Sequence, residues 1–389
     1  MCGEIIFSQG SQDLTADQEG ENMKWFETFV SNTLGGTGNQ LFHRFGDDRT
    51  RRGRVYYKVF AGGKFRYSLL FSNVIDSTYK VEYGSCADYV CDPWELLSAS
   101  VGVCKATGVK TAGEVENFIP LSFGGARHKL VAPGEFFTTD PVELSPEKGD
   151  FICVEVEFRG GMIPYHLESI LPTFLYENGA WIPDKRVPVP GMVGCDRKVS
   201  ARIGYFGDSI TQGIGTAPNA YSHWCALTAR TLGEEYSHWN LGIGYGRCQD
   251  AAGGGAWFFK AKHVDAAVVA FGSNDVGRGR SVNEMKADFS TLVDRLHAAG
   301  AKVFLHTLPP FDWTDEYLAR WQAINAFLRD ELAKKAEGFL DVAPLLTDLT
   351  RGVGMSKFGK HPDEAGCRIW AESLIPRMRD FLKPFQPLN

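Results

Sequence analysis

The chain has 389 residues, more than one hydrophobic core usually fills, so two domains are expected. Hydrophobic residues at 44% against 23% charged are ordinary globular composition. A net charge of -6 argues against a nucleic-acid or anionic-membrane partner. The densest basic cluster, Arg49, Arg51, Arg52 and Arg54, follows Asp47 and Asp48 and reads as a solvated loop. No run approaches the roughly 18 apolar residues of a membrane span, and the start, MCGEIIFSQGSQDL, carries no signal-peptide pattern. Nine cysteines without a CxxC pair indicate neither a zinc knuckle nor a disulfide framework, and reduced thiols fit a cytoplasmic location.

Residues 12 to 34 carry a weak helical pattern. Beyond them, up to about residue 180, short alternating runs and turns dominate. RVYYKVFAGGKFRYSLLFS reads as two strands joined at Gly62–Gly63, a hairpin signal. In FICVEVEFRGG, Ile152, Val154, Val156 and Phe158 point one way, which is a half-buried strand ending at a Gly-Gly turn. With further turns at Gly124–Gly125 and Pro133–Gly134, residues 1–182 are expected to form a β-sandwich, jelly-roll-like in kind. Pro183, Pro188 and Pro190 make 183–198 a stiff linker.

From residue 199 the pattern changes to strand alternating with helix. ARIGYFG, HWNLGIG, DAAVVAFG, KVFLHTL and GFLDVA are strand runs. Between them lie NAYSHWCALTARTLG, stopped by Gly233, and SVNEMKADFSTLVDRLHAAG, opened by a Ser281/Glu284 capping box. TDEYLARWQAINAFLRDELAKKAEG is a long helix, and a last helix after Pro362 is expected to kink at Pro376. The alternation predicts a parallel sheet covered on both faces, a three-layer α/β/α domain over 199–389. Ligands of such sheets sit outside the carboxyl ends of the strands.

At those ends stand Gly207-Asp208-Ser209, the turn Asn240 to Gly246, and Gly272-Ser273-Asn274-Asp275. Ser209 is not in a G-x-S-x-G elbow, so the α/β-hydrolase arrangement is excluded. An acyl-transfer site needs a nucleophile, a base and donors aimed at a developing oxyanion. Ser209 offers a hydroxyl and its own N–H, the glycine-rich turn a second N–H, and Asn274 a side-chain amide. Asp208 reads as a hydrogen-bonding scaffold for the turn. The base candidates are His361, in SKFGKHPDEAG, and His306, which ends the fourth strand and reads as a core or rim residue. FAGGKF and GGGAW lack the lysine of a phosphate loop, and neither metal nor cofactor is expected.

FGDSITQG, NLGIGYG, FGSND and KHPDEAG, in that order, resemble the four blocks of the SGNH (GDSL-type) hydrolases over roughly residues 200 to 385. The resemblance implies a flavodoxin-like sheet, Ser209 as nucleophile, His361 as base and Asn274 as oxyanion donor. It departs twice. The family's glycine, five residues after the block's asparagine, is Tyr245 here, with Gly246 next, so either amide is a candidate donor. The family's aspartate, three residues before the histidine, is Phe358. A backbone carbonyl of the Lys357–Gly359 loop is the preferred acceptor for the imidazole, giving a Ser–His dyad; Asp363, Asp341 and Asp348 are the alternatives.

A β-sandwich before such a domain is similar to the two-domain carbohydrate esterases of family 2. That implies an acetylated oligosaccharide as substrate, with Trp257, Phe311 and Trp313 placed to stack on a sugar. The alternatives are a short-chain lipase, thioesterase or acyltransferase, and a non-catalytic carbohydrate-binding protein. Oligomeric state is open.

Overall fold

Alternating apolar residues in the first half put one face of each strand against a shared core. A computed structural model describes residues 24–385, leaving aside 75–79, 82–83, 86–91, 109–112, 116, 168 and 255–258. The strands used below are β1 (Arg51–Lys58), β2 (Phe65–Ser72), β3 (Trp94–Cys104), β4 (Phe151–Arg159) and β5 (Met192–Cys195). β4 lies between β1 and β3 in a seven-stranded sheet, antiparallel to both. Its Ile152, Val154, Val156 and Phe158 are buried and share one cluster with Tyr67, Leu69 and Phe71 of β2, which belongs to the second, five-stranded sheet. Two antiparallel sheets therefore face each other across this core.

Three local readings are corrected. β1 and β2 are not a hairpin: β1 pairs with β4, and β2 pairs with β5. The Ala61–Gly63 bend carries the chain across the core to the opposite sheet, so Val55 and Tyr57 meet Tyr67 and Leu69 through side chains. Any side chain at Gly62 would put its Cβ 2.5 Å from the Lys148 backbone nitrogen, which is why glycine turns the corner. Of the helix expected over 12–34, residues 24–28 are helical, a strand follows at Val30–Ser31, and 12–23 lie outside the described residues. Inside the stretch read as linker, β5 is a fully buried strand between β2 and Val30–Ser31.

The second half contributes β6 (Ala201–Gly207), β7 (Tyr236–Gly242), β8 (Ala266–Ala270), β9 (Lys302–His306) and β10 (Gly338–Leu340). They form one parallel sheet in the order β7-β6-β8-β9-β10. The helices used below are α1 (Ser209–Gln212), α2 (Trp224–Leu232), α3 (Cys248–Gly253), α4 (Ser273–Gly277), α5 (Val282–Ala298), α6 (Asp315–Asp330) and α7 (Glu364–Leu382). Successive strand residues point to opposite faces. Ile203, Tyr205, Val268 and Phe304 pack with Trp224 of α2 and Trp370 of α7. Phe206, Val269 and Leu305 pack on the other face with Phe289 of α5 and Ile324 of α6. The sheet is thus covered by helices on both faces. Helix α5 has its capping box, with the Ser281 hydroxyl accepting from the Glu284 N–H and the Glu284 carboxylate accepting from the Ser281 N–H. Helix α7 runs on through Pro376.

In this strand order the chain reverses direction across the sheet between its first and third strands, β6 and β8, and a crevice opens beyond their carboxyl ends. The two halves share packing beneath it. Trp25, Phe26, Phe29, Leu70 and Met192 join Phe206, Trp239 and Phe259 in one apolar cluster. Gly36 approaches so closely under α1 that a Cβ there would lie 3.0 Å from the Asn240 side chain.

Candidate active site

β6 ends at Gly207, and Asp208 begins α1 as its N-cap. The Asp208 Oδ1 accepts from the Ile210 N–H at 2.9 Å, which takes the second N–H of the helix. Ser209 occupies the first helical position, where the N–H has no partner within the helix. Its Oγ lies 2.8 Å from Nε2 of His361. The two residues are 152 positions apart in the chain and meet because both flank the same sheet edge.

Asn274 follows β8 at the start of α4. Its Nδ2 donates to the Gly246 carbonyl at 3.0 Å, tying the third strand's end to the glycine turn after β7. The amide carries a second hydrogen, which can reach a substrate oxygen. Within that turn, the Gly246 N–H donates to Ile243 O at 2.9 Å and is committed to the backbone. Tyr245 has φ of 60°. This left-handed conformation suits glycine and costs a tyrosine about 1 kcal/mol. Its side chain is 41% exposed on the wall of the site.

These groups open on a cavity of about 380 Å³ lined by Asp208, Ser209, Ile210, Ile214, Tyr245, Ser273, Asn274, Gly277, Arg278, Phe311, Trp313 and His361. Phe311 and Trp313 stack, with centroids 5.3 Å apart, and Phe311 meets the His361 ring edge-on at 5.4 Å. Trp257 falls outside the described residues. Sequence reasoning missed Arg278, although its spacing of four residues from Asn274 places both on one helical face. It also missed Gly215: with φ of 103°, this glycine sits where a Cβ would be 2.9 Å from the Cβ and carbonyl oxygen of His361.

The acceptor expected for His361 is a correction. Among the described residues no carbonyl or carboxylate hydrogen-bonds its Nδ1. Two of the loop's carbonyls are engaged elsewhere: Phe358 O accepts from the Asp363 N–H at 3.0 Å, and Gly359 O accepts from the Ser356 hydroxyl. Asp363 caps α7 through the Gly366 N–H at 2.9 Å. Asp341 is held by Thr307 and Arg329, and Asp348 by Thr350. Packing by Phe311 and the backbone near Gly215 is what confines the imidazole. Burial pushes the His361 pKa below that of an ordinary histidine, which favours the neutral ring a base needs.

His306 is a core residue. It is 2% exposed, enclosed by Trp224 and Trp370, and burial pushes its pKa down to about 3. Burial acts in the opposite sense on two acids beside the site. The Asp208 pKa is pushed up to about 7 and that of Asp275 to about 6. Asp275 accepts from the Cys248 and Gln249 N–H groups and so anchors α3.

A hydroxyl aligned with an imidazole, next to amide donors, has the parts that acyl transfer requires. Residues 205–369 match the GDSL-like lipase/acylhydrolase family, so the likeness carried by the four sequence blocks holds. Among similar solved structures is a putative lipolytic protein of the G-D-S-L family from Desulfitobacterium hafniense, at 16% identity, covering 45% of this chain and 98% of that one, with a TM-score of 0.38. A carbohydrate acetylesterase family member from Sinorhizobium meliloti is 17% identical, covering 47% and 99%, with a TM-score of 0.38. A mutant acetyl-xylooligosaccharide esterase from Geobacillus is 19% identical, covering 46% and 94%, with a TM-score of 0.37. No curated protein matches the chain. Among the described residues no helix is long and apolar enough to cross a membrane, and no cluster of potential metal ligands occurs.

Proposed function

We propose that the protein is a serine esterase that removes O-acetyl groups from carbohydrates through an acyl-enzyme on Ser209. The observation that carries this reading is the 2.8 Å contact between Ser209 Oγ and His361 Nε2 at the cavity floor. Neutral His361 takes the hydroxyl proton as Oγ attacks the ester carbonyl. The Ser209 N–H and the Asn274 amide stabilise the oxyanion, and His361 returns the proton to the leaving alcohol. Water then repeats the sequence on the acyl-enzyme. In this Ser–His dyad packing holds the orientation of the imidazole, while the tautomer control and the charge stabilisation of a carboxylate are forgone.

A cavity of about 380 Å³ suits a short acyl group and one sugar ring, and the stacked Phe311 and Trp313 offer an aromatic wall. Residues 1–182, jelly-roll-like, serve as an accessory domain and 199–389 as the catalytic one. The test is deacetylation of acetylated manno-, xylo- and gluco-oligosaccharides followed by mass spectrometry, beside a p-nitrophenyl ester chain-length series. Preference for acetate supports the reading, whereas efficient octanoate turnover points to a lipase or thioesterase. Unchanged turnover in Ser209→Ala means the nucleophile lies elsewhere.

A further inference from the structure

The cavity wall carries a guanidinium that catalysis does not use. Arg278 ends α4 one turn beyond Asn274, so the two side chains share the helical face toward the cavity. Its guanidinium lies over the Tyr245 ring, 5.7 Å from the centroid. Among the described residues Arg278 has no ion pair and no side-chain hydrogen bond.

The carboxylates near Arg278 are all occupied by other groups. Asp250 is held by Arg247 through two hydrogen bonds. Asp288 and Glu284 are held by Arg280, and Asp275 accepts from two backbone N–H groups. The chain as a whole has 47 acidic against 41 basic side chains, so a cation left unpaired beside a cavity is not a by-product of excess positive charge. The other ionisable carboxyl in the wall, Asp208, is buried and held toward its neutral form, which lowers the competition for a guest anion. Tyr245, kept at a backbone conformation that suits glycine, supplies the ring that holds the guanidinium in place.

The geometry points to Arg278 as the recognition site for a carboxylate on the ester substrate, one helical turn from the oxyanion donor. A guanidinium presents a planar fork of donors that matches a carboxylate. A turn's length is about 5 Å, the span from an acetylated hydroxyl to a carboxylate on the same sugar ring. This rests on the proposed esterase reading and narrows it: the sugar is an acetylated uronic acid rather than a neutral hexose or pentose.

The experiment compares each acetyl ester bearing a free carboxylate with its neutral methyl ester. One pair is an acetylated methyl glucuronoside, and the second, free of sugar, is 3-acetoxybenzoate. The wild-type enzyme should prefer the carboxylate member by about tenfold in kcat/KM, chiefly through KM. The preference should fall toward one in Arg278→Gln, survive in part in Arg278→Lys, and weaken with added salt. A wild-type ratio of one, or a ratio that Arg278→Gln retains, overturns the assignment. Turnover of the benzoate pair but of no sugar ester overturns the carbohydrate reading alone. Calorimetric binding of the same pairs to Ser209→Ala gives the Arg278 comparison even without turnover.

Discussion

Asp208 is 2% exposed, lies directly before Ser209, the proposed nucleophile, and keeps its proton up to about pH 7 because burial penalises its charged form. Asp208→Asn isolates that penalty, since the amide oxygen can still accept from the Ile210 N–H. The free carboxyl titrates at 3.8 in the unfolded chain. Between 3.8 and about 7 the unfolded state therefore binds fewer protons than the native one, and stability falls as pH rises through this window. With 1.36 kcal/mol per pK unit, the loss is about 1.7 kcal/mol at pH 5 and about 4 kcal/mol at pH 8, or about 3 kcal/mol between them. The substitution abolishes this pH-dependent loss, while any cost of burying the amide is constant with pH. Urea midpoints of both proteins at pH 5 and pH 8 read the difference. Asp208→Asn should gain about 3 kcal/mol on wild type between the two, whatever its offset at pH 5. A difference that stays flat with pH refutes a buried, protonated Asp208.

Asn274→Ala removes the proposed oxyanion donor and should lower kcat by about 10²–10³ with KM little changed. The acid limb of kcat/KM should fall through an apparent pKa below 6.5, because burial lowers that of His361 and the neutral ring is lost only as pH drops beneath it; a limb above 6.5 contradicts this. Phe358→Asp supplies a carboxylate three residues before His361, where Nδ1 has no acceptor among the described residues. Steady-state activity should stay equal or rise, at a stability cost of about 1–2 kcal/mol for losing a half-buried ring packed over Gly366; inactivity with an intact fold counts against the geometry.

The sheet of the second half was legible because parallel strands buried on both faces read as apolar runs, and each run ends in the small polar residues the crevice requires. Ser209, Asn274 and His361 were identifiable from their blocks, and all three line one cavity. The pairing of β1 and β2 was not, because two alternating runs around Gly62–Gly63 have the same pattern whether they hydrogen-bond edge to edge or stack face to face. Which occurs depends on β4 and β5, about 90 and 130 residues further on. The carbonyls of Phe358 and Gly359 looked available for the same reason, but contacts with Asp363 and Ser356 engage them.

By itself, the sequence determined the residue types for an acyl-transfer site and the strand–helix alternation that brings them to one edge, since both are local properties of spacing and polarity. Tertiary structure alone decided the environments: Asp208 driven toward neutrality, His306 sealed in the core, and Arg278 lining the cavity with no ion pair among the described residues. Those outcomes depend on desolvation and on which charges are already paired, and both are set by neighbours distant in the chain.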